Sequence, residues 1–474
     1  MRASRPATRR AASPTGRILA LAWPVLVAQL AVMANGVIDT VMAGRLSAVD
    51  LAAVGLGASI YVSVYIGLNG TLLALSPIVA QHYGARRYGA IGDDVRQGFW
   101  LAAALSLLGC AALVFHGPWL ALGAPPADVA VRAGLYLYAV AVGLPAALAF
   151  RVFHALNTAI SRPKAVMFVN LAGLALKVPL NALFMFGWAA DADGLPAWLR
   201  IPAMGGPGCA VATAVIAWVS ALAGLVILAA DPSYRRFGWR DGAPHRWTPD
   251  WSRLRGLLRL GIPTGATYVI EVTAFTFISI FVAGFGATVA ASQQIAANLV
   301  GVAYMFPLAL ANATGVLTAQ AIGAADAPMA RQVALRGLAL ALLAGLLLAG
   351  TFAFGRAGLA DAYSDDPQVR LAATALILLV SGYVLFDAIQ VTLAFVLRAY
   401  RIATLPMVVY AVALWGIGLG GGWWLTFAAP SLAARLGLTG AQPFWAAGIV
   451  SVLAASLGLA WVLQRVLAQQ RSED

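Results

Sequence analysis

Charge is the scarcest thing in this sequence. Only 10% of its 474 residues are Asp, Glu, Lys or Arg, against roughly a quarter in soluble globular chains, so an ordinary water-facing surface is excluded. Cysteine is almost absent. Cys110 and Cys209 stand in no disulfide or ligand spacing and read as small apolar fillers. The four histidines, His82, His116, His154 and His245, show no metal-ligand spacing. Neither a serine-centred nucleophile motif nor a phosphate-binding glycine loop is present. An integral-membrane enzyme and an ATP-driven pump built from this chain alone therefore find no support, and no cofactor is implied.

What remains is apolar. Hydrophobic residues make up 61% of the chain, and runs long enough to cross a core of about 30 Å as helix recur along nearly its whole length. Twelve are read, near 18–41, 51–75, 97–116, 131–150, 165–188, 208–230, 257–281, 289–318, 334–354, 370–395, 404–427 and 443–464. None has the short alternation of a membrane β-barrel. The expected fold is all-α and integral to the lipid bilayer. With twelve spans both ends lie on one side, and 23 of the 31 Lys and Arg residues then fall on that face. The positive-inside rule makes it the cytoplasmic one. The net charge of +13 is thus topology, not a nucleic-acid surface. The first span is too long for a signal-peptide core and reads as an uncleaved helix.

The second half restates the first at an offset of 239 residues. Leu21-Ala22-Trp23-Pro24 aligns with Leu260-Gly261-Ile262-Pro263, and Ala80-Gln81-His82-Tyr83-Gly84-Ala85 with Ala319-Gln320-Ala321-Ile322-Gly323-Ala324. Six spans per copy make the repeats parallel, a recurring build of secondary transporters with substrate bound between the halves. The division is a tail over 1–16, a first lobe over 17–230, a linker over 231–254, a second lobe over 255–466 and a tail over 467–474. The linker is basic, holds Pro232, Pro244 and Pro249, and reads as a tether between two moving lobes.

Against this background three acids stand out at membrane depth: Asp39, Glu271 and Asp387. Each costs about 2.5–3.5 kcal/mol at the bilayer centre even on the mildest insertion scale. Tyr383, Asp387 and Gln390 share one helix face, as do Gln294 and Asn298. Carboxylate, amide and hydroxyl oxygens in one stripe suit Na⁺, and a carboxylate kept from water without a cation takes a proton instead. No Lys or Arg lies within the second-lobe spans to pair with Glu271 or Asp387. In the first lobe Asn35 precedes Asp39 by one turn. Asn181 is expected to face Asp39 from the fifth span, while Lys177 is expected to snorkel to the interface. Tyr304 is a candidate for the substrate path, and Pro24, Pro145, Pro179, Pro263 and Pro307 are candidate bends.

In order along the chain, Val-Ile-Asp39-Thr-Val-Met-Ala-Gly, Pro77-Ile-Val-Ala-Gln81-His-Tyr-Gly84, Lys177-Val-Pro179-Leu-Asn181, Pro263 with Glu271, Gln294 with Asn298, and Phe386-Asp387-Ala-Ile-Gln390 resemble the multidrug and toxic compound extrusion (MATE) family, NorM-like branch, from about residue 16 to 466. The resemblance implies twelve helices in two six-helix lobes, a bacterial inner-membrane setting, and antiport of lipophilic and cationic drugs and dyes against Na⁺ or H⁺ by alternating access. A monomer is expected. It also implies that Glu271, Asp387 and Tyr383 serve the cation site, with Glu271 and Asp387 as Na⁺ ligands, and that Asp39 takes part in first-lobe coupling. Gln294, Asn298 and Tyr304 would lie near the cation or substrate path. A flippase for lipid-linked saccharides shares the broader architecture. Its phosphate-bearing substrate calls for Arg or Lys in the groove, where this sequence places acids.

Overall fold

The computed structural model describes residues 13–123, 125–188, 201–238 and 247–473. Among them, twelve helices are long and apolar enough to cross a membrane: α1 (Pro14–Leu46), α2 (Ala48–Gly84), α3 (Tyr88–Val114), α4 (Ala127–Ala159), α5 (Pro163–Phe186), α6 (Gly208–Ala230), α7 (Trp251–Ala283), α8 (Ala287–Gly323), α9 (Ala327–Tyr363), α10 (Pro367–Ala399), α11 (Thr404–Ala428) and α12 (Gln442–Gln469). Each corresponds to one span read from the sequence. No strand occurs among the described residues, only an isolated bridge between Trp188 and Ile201. The helix starts follow local chemistry. Asp250, Asp326 and Asp366 accept hydrogen bonds from first-turn amides of α7, α9 and α10, and Pro367 opens α10, where its missing N–H costs nothing.

The five prolines named as candidate bends each lie inside a continuous helix rather than ending one. Less expected, α11 runs as π-helix over Ala411–Gly420 and Trp424–Ala428. Its glycines admit close neighbours: a Cβ on Gly422 would meet the Phe444 ring of α12 at 2.5 Å.

α1–α6 form one lobe and α7–α12 the other. In the first, α4 packs against α2, α3 and α6; in the second, α10 packs against α8, α9 and α12. The lobes meet through α1 and α2 on one side and α7 and α8 on the other. At the end that carries the basic loops the junction is reciprocal. Gln81 donates from Nε2 to the carbonyl of Ala399 at the end of α10 (2.7 Å), and Gln320 donates to the carbonyl of Ala159 at the end of α4 (2.7 Å). Each amide satisfies a carbonyl the helix leaves unpaired. Arg86 and Ala325 adopt left-handed backbone 239 residues apart, as do Ser161 and Arg401 240 apart, so the duplication extends to the helix stops.

Between these caps the backbones touch. A Cβ at Gly84 would overlap the Gln320 carbonyl, and one at Gly323 the Gln81 carbonyl. Overpacking of this kind costs about 1–3 kcal/mol. Gly323→Val should therefore part the lobes at this end and slow transport about tenfold, the effect of about 1.4 kcal/mol. Spin labels placed across the seam on α2 and α8 should report longer distances in the variant; an unchanged distance distribution with full transport would contradict the packing argument.

The linker departs from the tether expectation. Residues 239–246 lie outside the described residues, and so do Pro244 and His245. Both flanks are fixed to the first lobe. Tyr234 is buried and donates to Asn157 Oδ1 at 2.6 Å. Buried Arg96 donates to the Gly238 carbonyl at 2.9 Å and pairs with Asp93. Past the gap, Gln97 engages both Thr248 and Asp250, and Arg253 pairs with Asp93, Asp94 and Asp250. Polar residues of α3 that composition alone leaves at a solvated helix end are what hold the linker down.

Candidate functional site

The second-lobe acids sit on α7 and α10, helices that enter from the basic end and the opposite end respectively. Asp387 is buried, with 3% exposure, and Oδ1 accepts from Gln390 Nε2 at 2.8 Å. Gln390 is equally buried and its Oε1 has no partner among the described residues. Glu271 is half-buried and makes no hydrogen bond or ion pair among the described residues. The two acids are near enough for their charges to act on one another. Two carboxylates and an orphaned amide oxygen thus share one region, and hard cations are held by such oxygens.

Tyrosines surround them. Tyr304 and Tyr383 both feel the charges of Glu271 and Asp387. Tyr383 is buried, with its ring edge-on to Phe275 (5.9 Å) and to Trp445 (5.6 Å). A cavity of about 30 Å³ adjoins it, lined in part by Phe275, Gln293, Trp445 and Ser451. Gln293 accepts from Trp445 Nε1 at 2.7 Å and leaves its own Nε2 without a partner among the described residues. Three further members were missed in the sequence. Tyr410, from α11, feels both acids, and Tyr268 stands one turn before Glu271. The third is Arg398.

Arg398 corrects the expectation that no basic residue lies within the second-lobe spans. Counting it with the basic loop rested on ending the tenth span at residue 395, but α10 continues to Ala399. Its side chain turns inward, is 8% exposed, and lies within reach of Glu271's charge. Helical periodicity was the available signal, since eleven residues from Asp387 is three turns and returns to the same face.

Gln294 and Asn298 are not part of this cluster. Both are exposed on α8, and Asn298 Nδ2 donates to its own helix, to the Gln294 carbonyl at 3.0 Å.

In the first lobe Asn181 faces Asp39, donating to Oδ1 at 2.8 Å. Lys177 does not snorkel. It is 1% exposed and its Nζ lies 2.9 Å from Asp39 Oδ1, with further bonds to Thr213 Oγ1 (2.5 Å) and the Cys209 carbonyl (3.3 Å). A carboxylate on α1 supplied a nearer partner than the interface did. Asp39 therefore carries an internal cation in this structure, unlike its second-lobe counterparts. The side-chain oxygens of Asn35 and Asn181 are buried and have no partner among the described residues. Cys110 and Cys209 are free thiols.

The MatE family matches this chain over residues 24–183 and 263–424, two blocks that begin 239 residues apart. A protein of Aromatoleum aromaticum named probable multidrug resistance protein NorM is 39% identical over 96% of this chain and 95% of its own length. The multidrug resistance protein MdtK of Photorhabdus laumondii is 33% identical over 96% of each. Among solved structures, the outward-facing conformation of a multidrug resistance MATE family transporter superposes with a TM-score of 0.83 at 15% identity, covering 97% of both chains. The eukaryotic MATE transporter AtDTX14 superposes with a TM-score of 0.80 at 19% identity, covering 97% of this chain and 98% of its own. At those identities the likeness is one of fold.

Proposed function

This chain belongs to the MatE family, and from that premise we propose that it exports lipophilic and cationic drugs in exchange for Na⁺. The relatives' names support multidrug efflux. The choice of Na⁺ over H⁺ rests on Gln390 Oε1, a buried amide oxygen without a donor among the described residues that suits a metal cation held together with the two carboxylates. Glu271 and Asp387 supply the charge, with Tyr383 and Tyr304 in their neighbourhood. Two acids against the Arg398 guanidinium leave one negative charge, which one Na⁺ balances. Gln294 and Asn298, exposed on α8, are the polar groups a drug meets in the opening between lobes.

The basic end is the cytoplasmic one under the positive-inside rule, and both termini lie there. The lobes are sealed at that end by the Gln81 and Gln320 caps, which suits an outward-facing state that has released drug and receives Na⁺. Exchange needs Na⁺ and drug to prefer opposite states, since equal affinity shifts nothing. The acidic character of the site disfavours the saccharide flippase, whose phosphates these carboxylates would repel.

Efflux of a cationic dye from proteoliposomes should follow an imposed Na⁺ gradient at constant pH; a pH gradient that drives it without Na⁺ would replace Na⁺ by H⁺ in this scheme. The charge count sets a second readout. Exchange of one cationic drug for one Na⁺ moves no net charge, so an imposed potential should leave it unchanged. An uncharged drug should gain about 2.3 kcal/mol per 100 mV, about fortyfold in accumulation at equilibrium.

A further inference from the structure

We propose that Arg398 is the tethered counter-ion of Glu271: when the coupling cation leaves, the guanidinium turns onto the Glu271 carboxylate and balances that acid until the next cation arrives. This rests on the cation site read above and assigns it a built-in competitor. Arg398 is buried, yet among the described residues it has no ion-pair partner. Its hydrogen bond to the Tyr268 hydroxyl is long, 3.4 Å from Nη1, and it lies over the Tyr268 ring at 5.2 Å and the Phe395 ring at 4.7 Å. Aromatic faces steady a cation, but they do not replace a counter-ion for a charge kept from water.

The missing counter-ion is one helical step away. Glu271 follows Tyr268 by three residues, on the same side of α7, and has no partner of its own among the described residues. Arg398 also borders a small cavity of about 30 Å³ between the lobes, beside Ser76 and Asn312. The first lobe displays the completed arrangement, with Lys177 on Asp39 at 2.9 Å. The next residue after Arg398, Ala399, accepts the Gln81 hydrogen bond that joins the lobes. A swing of Arg398 therefore acts on the same helix end that seals the basic side.

The test uses the full chain in detergent, unfolded thermally in NaCl or choline chloride at constant pH and ionic strength. Na⁺ binding to the folded state raises the unfolding temperature. Arg398→Gln removes the competitor and should lower the Na⁺ concentration giving half the shift about tenfold. Arg398→Lys keeps the charge and should stay within about threefold of wild type, although it loses the planar fork. In a Glu271→Gln background, Arg398→Gln should change nothing further. Tyr268→Phe frees the guanidinium and should raise the half-shift concentration about threefold, which keeps the test available should Arg398→Gln not fold. Equal half-shift concentrations in wild type, Arg398→Gln and Tyr268→Phe, or an undiminished Arg398→Gln effect without Glu271, would overturn the tethered counter-ion and leave the cation site standing. A wild type indifferent to Na⁺ would overturn both.

Discussion

Glu271→Gln combined with Asp387→Asn should give a folded, membrane-inserted protein whose Na⁺-driven dye efflux falls to that of empty liposomes. The substitutions keep shape and hydrogen-bonding capacity while removing both negative charges, so the fold has little reason to fail. Asp387 loses an acceptor that Gln390 Nε2 uses at 2.8 Å, but the Asn carbonyl still accepts. What disappears is the attraction that draws a dehydrated cation out of water. Without it, Na⁺ no longer distinguishes one state of the lobes from the other, and a gradient of about 1.4 kcal/mol per tenfold ratio has nothing to act on. Reconstituted protein of equal amount and equal unfolding temperature should be compared under an imposed Na⁺ gradient. Gradient-driven efflux persisting in the double variant would move the cation site elsewhere in the molecule. Either single variant should retain part of the response, because the remaining acid still faces Gln390 Oε1 or its neighbouring tyrosines.

The largest stability effect is expected at Lys177. Lys177→Met preserves length and apolar bulk but leaves Asp39, 8% exposed, with the Asn181 amide as its remaining hydrogen-bond donor among the described residues. Removing one partner of a buried pair typically costs about 3–5 kcal/mol, because a charge stays behind unbalanced. The variant should express poorly, and its unfolding temperature in detergent should fall sharply. Adding Asp39→Asn should restore most of that loss, since the pair is then replaced by neutral groups. Recovery of folding without recovery of transport would assign Asp39 a part in coupling. Recovery of both would make the pair a structural brace. A Lys177→Met protein as stable as wild type would show that the ammonium is not what satisfies Asp39.

The legibility of this molecule in its sequence divides along the range of the forces involved. Twelve spans, their all-helical character and the duplication were open to reading because burial in lipid acts on local averages: about twenty apolar residues suffice, whatever they pack against. Asp387 with Gln390 was readable for the same reason, as helix geometry places residues three apart side by side. Asn181 against Asp39 was anticipated from its place one turn beyond Lys177 in the fifth span, facing the interior. Lys177 and Arg398 were misread because their fate depended on a span boundary and on a neighbour from another helix. A long basic side chain snorkels only when nothing nearer balances it, and its own helix does not say what is nearer.

The sequence by itself determined that this chain lives in a membrane as two copies of one six-helix unit carrying acids too costly to be incidental. Tertiary structure alone decided which of those acids is balanced. Asp39 meets an ammonium carried on α5, while Glu271 and Asp387 meet tyrosines, an amide oxygen and a guanidinium that stops just short of them. The physical reason is that desolvation follows from depth, which composition reports, whereas charge compensation falls within a few ångströms and belongs to whichever helices happen to cross there.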